Sequence, residues 1–202
     1  WASDFTTKTP TIVYVHGGGW VLGNLETHDR ICRVLAEKSE AIVVAVDYRL
    51  SPEAKFPSAV HEVAAVAKHL HENAGRYGID ADRMGMAGDS GGAHLNLAAT
   101  LYLRQEVGDA SCIKALLLYY GCYGLIDSAS RRLLGGAWDG LTEEDWPFYI
   151  GNYAEDPVAI QNEPYFNLFL NDLSRDMPAC YIAAAEYDPL KDDSATLAAI
   201  CE

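Results

Sequence analysis

Residues 84–96 read MGMAGDSGGAHLN, which sets Ser90 between Gly88 and Gly92 with Asp89 before it and Gly91 after it. A serine flanked this way is a candidate nucleophile for acyl transfer, because the glycines allow a turn too tight for a Cβ. Two contexts compete for these letters. GDSGG is the serine loop of all-β serine proteases, whereas G-x-S-x-G marks a nucleophile elbow, in which a strand enters the serine and a helix leaves it. The protease needs histidine and aspartate ahead of the serine and a barrel of many strands. Here an apolar run, Arg83–Ala87, precedes Ser90, and helical periodicity follows it in Leu95, Ala98, Ala99 and Tyr102. The elbow fits, and its hydroxyl would sit at a helix N-terminus where amide dipoles favour negative charge.

A second stretch carries the complementary chemistry. His16–Gly19 reads HGGG, is followed by Trp20, and comes directly after the apolar run Thr11–Val15. Glycines there let the backbone approach a substrate with its N–H groups turned inward, as an oxyanion hole requires. Gly17 and Gly18 are the expected donors, with Gly91, the residue after the serine, as a third. His16 and Gly19 are expected to support the loop, His16 through ring hydrogen bonds rather than as the general base.

These loops need a scaffold. Thr11–Val15, Ala41–Val46, Arg83–Ala87, Ile113–Tyr119 and Ala179–Ala185 are short, nearly continuous apolar runs, as strands buried on both faces require. Helical patterns at about 27–38, 58–77 and 91–105 lie among them, the second with Val60, Val63, Ala64, Ala67 and Leu70 on one stripe. The alternation predicts an α/β fold, a mostly parallel sheet flanked by helices. From about 121 to 178 no strand is evident, and aromatics concentrate: Tyr123, Trp138, Trp146, Phe148, Tyr149, Tyr153, Tyr165, Phe166 and Phe169. That segment reads as a partly helical cap inserted after the fourth strand, its rings serving mostly to glue it down. Residues 1–202 read as one domain, cut from something longer, since Trp1 opens the chain and DDSATLAAICE stops within a helix capped by Asp or Ser.

Composition narrows the partners. The formal net charge of −14 argues against nucleic acid and against anionic membranes. Five scattered cysteines without a C-x-x-C pair indicate neither a disulfide framework nor zinc. With no signal peptide and no long apolar span, the expected location is cytoplasmic, without membrane insertion. HEVAAVAKHLHE at 61–72 lacks the H-E-x-x-H pattern because Ala65 stands where histidine is needed. No P-loop or dinucleotide glycine motif is present, so no metal and no cofactor are expected.

HGGGW, DYRLSPE at Asp47–Glu53, GDSGG and EYDPL at Glu186–Leu190 together resemble the hormone-sensitive-lipase-like branch of the α/β-hydrolases. GNLETHDR at 23–30 and SRRLLGGAWDGLT at 130–142 are similar, more narrowly, to the bacterial acetyl esterases of that branch. The resemblance implies the α/β-hydrolase fold and a serine carboxylesterase acting on small-molecule, short-chain acyl esters through an acyl-enzyme. It implies that DYRLSPE braces the HGGG loop, and that Asp188 is the acid that orients the catalytic imidazole. Asp192, Asp193 and Glu186 are competitors for that role, the first two reading as caps of the final helix. Gly91 departs from the alanine usual after the serine. All six histidines precede Asp188, while the family's histidine follows a further helix and strand, so the catalytic histidine is expected to be lacking here. His94 is close to Ser90 in sequence but is expected to point away. An amidase or peptidase on the same fold, or a non-catalytic binding protein that kept it, are the alternatives; a homodimer or a protein regulator is left open.

Overall fold

The apolar runs pair into one parallel sheet, buried at its centre and partly exposed along its edges. A computed structural model describes residues 8–136, 141–142 and 144–202. Its strands are β1 (Thr9–Val15), β2 (Ile42–Val46), β3 (Ile79–Asp89), β4 (Ala115–Tyr119) and β5 (Ala179–Ala183). Their order is β2-β1-β3-β4-β5, and every neighbouring pair is parallel. The antiparallel barrel of the protease reading is thereby excluded. Val13, Val15, Met86, Leu116 and Leu118 are fully buried at the sheet's centre.

The connecting helices are α1 (Asp29–Ser39), α2 (Ser58–Glu72), α3 (Ala74–Tyr77) and α4 (Gly91–Tyr102). α2 buries Val60, Val63, Ala64, Ala67 and Leu70, the stripe read from the sequence. α4 is buried from Gly91 through Leu101, as a helix enclosed on all sides must be. Two boundaries differ most from expectation. The helical pattern at 58–77 breaks at Asn73, whose backbone and side-chain amides both donate to the His69 carbonyl. β3 begins four residues before Arg83, because Ile79 already pairs with Thr9 of β1.

Between β4 and β5 the chain forms α5 (Ala129–Leu134), α6 (Asp145–Tyr153) and two short 3₁₀ turns, at Ala159–Asn162 and Leu168–Leu170. Tyr123, Tyr153 and Phe166 are buried in the common core, with Trp146, Tyr149, Tyr165 and Phe169 packed against it; Phe148 is exposed. Trp138, with residues 137–140 of the SRRLLGGAWDGLT stretch, lies outside the described residues.

The final helix, α7 (Lys191–Cys201), corrects one expectation. Its N-cap is Leu190 with no side-chain cap, and Asp192 and Asp193 lie inside its first turn. They tie down the insertion instead. Asp193 Oδ1 accepts the N–H groups of Tyr123, Gly124 and Leu125 at 2.7, 3.0 and 3.2 Å, and Oδ2 pairs with Arg131 at 3.2 Å. Asp192 accepts from Ser130 N at 2.8 Å. Asp193 is wholly buried, and a buried carboxylate must find partners of this kind.

The crossing of α4 over β1 leaves no room at Gly92. A Cβ there would lie 2.6 Å from the His16 carbonyl oxygen and closer still to that of Val15. Gly92→Ala is therefore expected to cost about 3 kcal/mol in urea unfolding. Gly151→Ala, where a Cβ meets nothing within 4 Å in α6, should be neutral or stabilising by up to about 1 kcal/mol. Equal stabilities for the two variants would contradict this packing.

Candidate active site

Ser90 sits at the carboxyl end of β3, between that strand and α4. Its φ of 50° and ψ of −120° are a strained backbone for a residue with a side chain. The strain is held by backbone bonds on both sides: Ser90 N donates to the Tyr119 carbonyl at 2.9 Å, and His94 N to the Ser90 carbonyl at 3.1 Å. Gly88 and Gly92 have the steric purpose their spacing implies, since a Cβ on Gly88 would fall 2.8 Å from the Gly92 carbonyl carbon.

The HGGG turn follows β1 and lies against this elbow. Gly18, Gly19 and Trp20 have φ of 117°, 58° and 64°. Gly18, Gly19, Ser90, Gly91 and Asp188 line one cavity of about 520 Å³, walled by Trp146 and Tyr149 of α6. Gly17 does not join them. Its amide donates to Asp89 Oδ1 at 3.1 Å. Gly19, expected only as support, lines the cavity, and its N lies 3.3 Å from where a Cβ on residue 91 would stand.

Asp89 was missed in the sequence and organises this corner. The same Oδ1 accepts the Tyr14 hydroxyl at 2.7 Å, and Oδ2 lies 3.4 Å from His28 Nε2. Burial, and then the Asp89 charge, push the Tyr14 phenol well above its ordinary pKa. The available signal was the acid itself: a carboxylate beside a buried turn needs donors, and the facing loop is rich in them. His16 donates from Nδ1 to the Gly17 carbonyl at 2.8 Å, and its ring stacks on Tyr48 with centroids 4.4 Å apart. Tyr48 Oη–H donates to the His16 carbonyl at 2.9 Å, and Ser51 N donates to that of Trp20 at 2.9 Å. The DYRLSPE segment thus holds the loop from behind.

Asp188 follows β5, half-buried on the cavity wall, where its Oδ1 accepts from Leu190 N at 2.8 Å. Glu186 stands exposed on the same rim. Asp192 and Asp193 are committed to the insertion. None of the described residues lining the cavity is a histidine. His94 is buried; its Nδ1 accepts the Trp20 indole N–H at 3.3 Å, and its Nε2 lies 3.0 Å from the Phe166 carbonyl. Burial depresses its pKa to about 4.

A family profile for the alpha/beta hydrolase fold matches residues 12–202, and the chain belongs to that family, in its hormone-sensitive-lipase-like branch. Among solved structures, a hyperthermophilic esterase from the archaeon Pyrobaculum calidifontis is 38% identical with a TM-score of 0.90, over 96% of this chain and 61% of its own. EstE1, a thermophilic carboxylesterase from a metagenomic library, is 34% identical with a TM-score of 0.90, over 96% of this chain and 66% of its own. A fungal esterase of Rhizomucor miehei is 32% identical with a TM-score of 0.90, over 98% and 63%. The chain therefore spans about three-fifths of these proteins' length.

The neutral His94 ring has a consequence for stability. Its folded pKa of about 4 lies below the unfolded value of 6.5, so the unfolded chain takes up the proton first as pH falls. The stability it contributes is complete above pH 6.5 and is lost progressively toward pH 4. His16, whose pKa is also lowered by burial, acts with the same sign. Urea midpoints at pH 7, 6 and 5 are expected to fall less steeply in His94→Asn than in the parent chain. Identical slopes would contradict the buried, neutral assignment.

Proposed function

We propose that these residues form the greater part of a serine carboxylesterase acting on short-chain acyl esters. One observation carries the reading: Ser90, raised on its strained turn, shares a single cavity with Gly18, Gly19, Gly91 and Asp188. Ser90 Oγ attacks the ester carbonyl while its proton passes to an imidazole. The carbonyl oxygen becomes negative and is received by the amides of Gly18, Gly19 and Gly91. Collapse expels the alcohol, which takes the proton back, and leaves an acyl-serine that water hydrolyses by the same route. Asp188 orients the imidazole and stabilises its charged form. The esterase neighbours favour this chemistry, and the Trp146, Tyr149 and Leu141 side chains around a cavity of about 520 Å³ favour a short acyl group.

The imidazole is supplied from outside these 202 residues. No histidine follows Asp188, and His94, the one nearest Ser90 in sequence, uses both ring nitrogens elsewhere. Two measurements follow. A longer polypeptide containing this chain should hydrolyse p-nitrophenyl acetate and be labelled by a fluorophosphonate, and Ser90→Ala should abolish both. The 202 residues alone should show at most the residual catalysis of roughly 10³–10⁴ over water that binding and oxyanion donors give. Full turnover by the 202 residues would refute the missing base. An acetanilide cleaved as fast as the ester would indicate an amidase, and an unlabelled longer protein would indicate a binding role.

A second prediction concerns Asp89. Asp89→Ala strands the Tyr14 hydroxyl and the Gly17 amide without an acceptor, and each buried orphan costs about 1–3 kcal/mol. Urea unfolding of the 202-residue chain should show a loss of at least 2 kcal/mol. A smaller loss would mean that the carboxylate does not hold the loop.

A further inference from the structure

Trp20 holds a backbone conformation that a bulky side chain disfavours, with φ of 64°. It closes the glycine loop, and its N lies 3.3 Å from the Cβ position of residue 91. Any shift of Trp20 therefore shifts the Gly19–Trp20 peptide against Gly91. Something outside the loop must hold the strained residue in place. Its ring stacks on Tyr153, with centroids 4.5 Å apart and an interplanar angle of 11°, and meets His94 edge-on at 5.2 Å. Stacking fixes the plane of a ring but not its rotation or its slide. The indole N–H supplies that fix by donating to His94 Nδ1 at 3.3 Å.

An indole N–H can only donate, so Nδ1 must carry the lone pair and Nε2 the proton. Nε2–H then faces the Phe166 carbonyl at 3.0 Å, and the tautomer is set from both ends. His94 N also bonds the Ser90 carbonyl. One residue thus touches the nucleophile turn through its backbone, the oxyanion loop through Nδ1 and the β4–β5 insertion through Nε2.

We infer that His94 is a positioning residue for acyl transfer, fastening the oxyanion loop to the nucleophile helix through the Trp20 indole. The inference takes the proposed esterase reading for its kinetic consequence; the hydrogen-bond link itself stands apart from that reading. Two substitutions separate the functions of the ring. His94→Asn keeps an acceptor near the Nδ1 position but does not reach Phe166. His94→Gln keeps a donor near the Nε2 position and lacks the acceptor for Trp20.

The first test needs no catalysis. In the ¹⁵N-labelled 202-residue chain at pH 7, His94 should show the Nε2–H tautomer, and the Trp20 indole N–H should be protected from exchange. His94→Gln should shift that resonance and speed its exchange at least tenfold, and His94→Asn should recover it. In the longer, active protein His94→Gln should lower kcat about tenfold with KM nearly unchanged, and His94→Asn should recover most of that loss. A merely structural histidine would lower stability in both variants while leaving kcat of the folded enzyme alone. An Nδ1–H tautomer, or His94→Gln with parental indole exchange, overturns the link. Parental kcat in His94→Gln overturns the positioning role. If the longer protein hydrolyses no ester, the esterase reading fails while the exchange measurement still decides the link.

Discussion

The close approach of the Ser90 turn to the end of β1 is the constraint on which the site depends. Gly88 and Gly92 bring their backbones against the Val15 and His16 carbonyls with no space for a Cβ on either. That contact fixes the distance between a serine on β3 and a glycine loop on β1. Asp89 then joins the two sides chemically, taking the Gly17 amide and the Tyr14 hydroxyl on one oxygen. Because Gly17 is engaged, the loop presents its next residues, Gly18 and Gly19, to the cavity. The proposed donor set rests on where the carboxylate sits.

Around this seam the fold spends buried charge on orientation. Asp193 holds the turn at 123–125 and Arg131, and the Arg131 guanidinium lies 4.3 Å from the ring centre of Trp146, a wall of the cavity. Burial pushes the Asp193 carboxyl pKa upward, and Arg131 and the backbone donors oppose that shift. An isolated buried charge would be destabilising, and Arg131 with the backbone donors supplies the compensation Asp193 needs. The loop that carries Asp188 and the insertion that shapes the pocket are tied to the same helix.

Much of this was legible in the sequence. Apolar runs without alternation identified a parallel sheet, and glycines two residues on either side of Ser90 identified the turn. Two sets of contacts escaped the sequence for one physical reason. Gly17 looked equivalent to its neighbours because adjacent amides differ only in their partners, and its partner lies 72 residues away. Asp192 and Asp193 looked like helix caps because local rules see the helix they begin, not the insertion they bind, Asp193 at the turn 123–125 and Asp192 at Ser130. The partners of His94, Trp20 and Phe166, are ones that only the folded chain brings to it.

A crystal structure of the longer protein with a methylphosphonate bound covalently to Ser90 would test the central geometry most directly. The account predicts the phosphoryl oxygen within about 3.2 Å of the Gly18, Gly19 and Gly91 amides, with the Gly17 amide still on Asp89. A phosphoryl oxygen held by Gly17, or one turned away from the glycine loop, would contradict it.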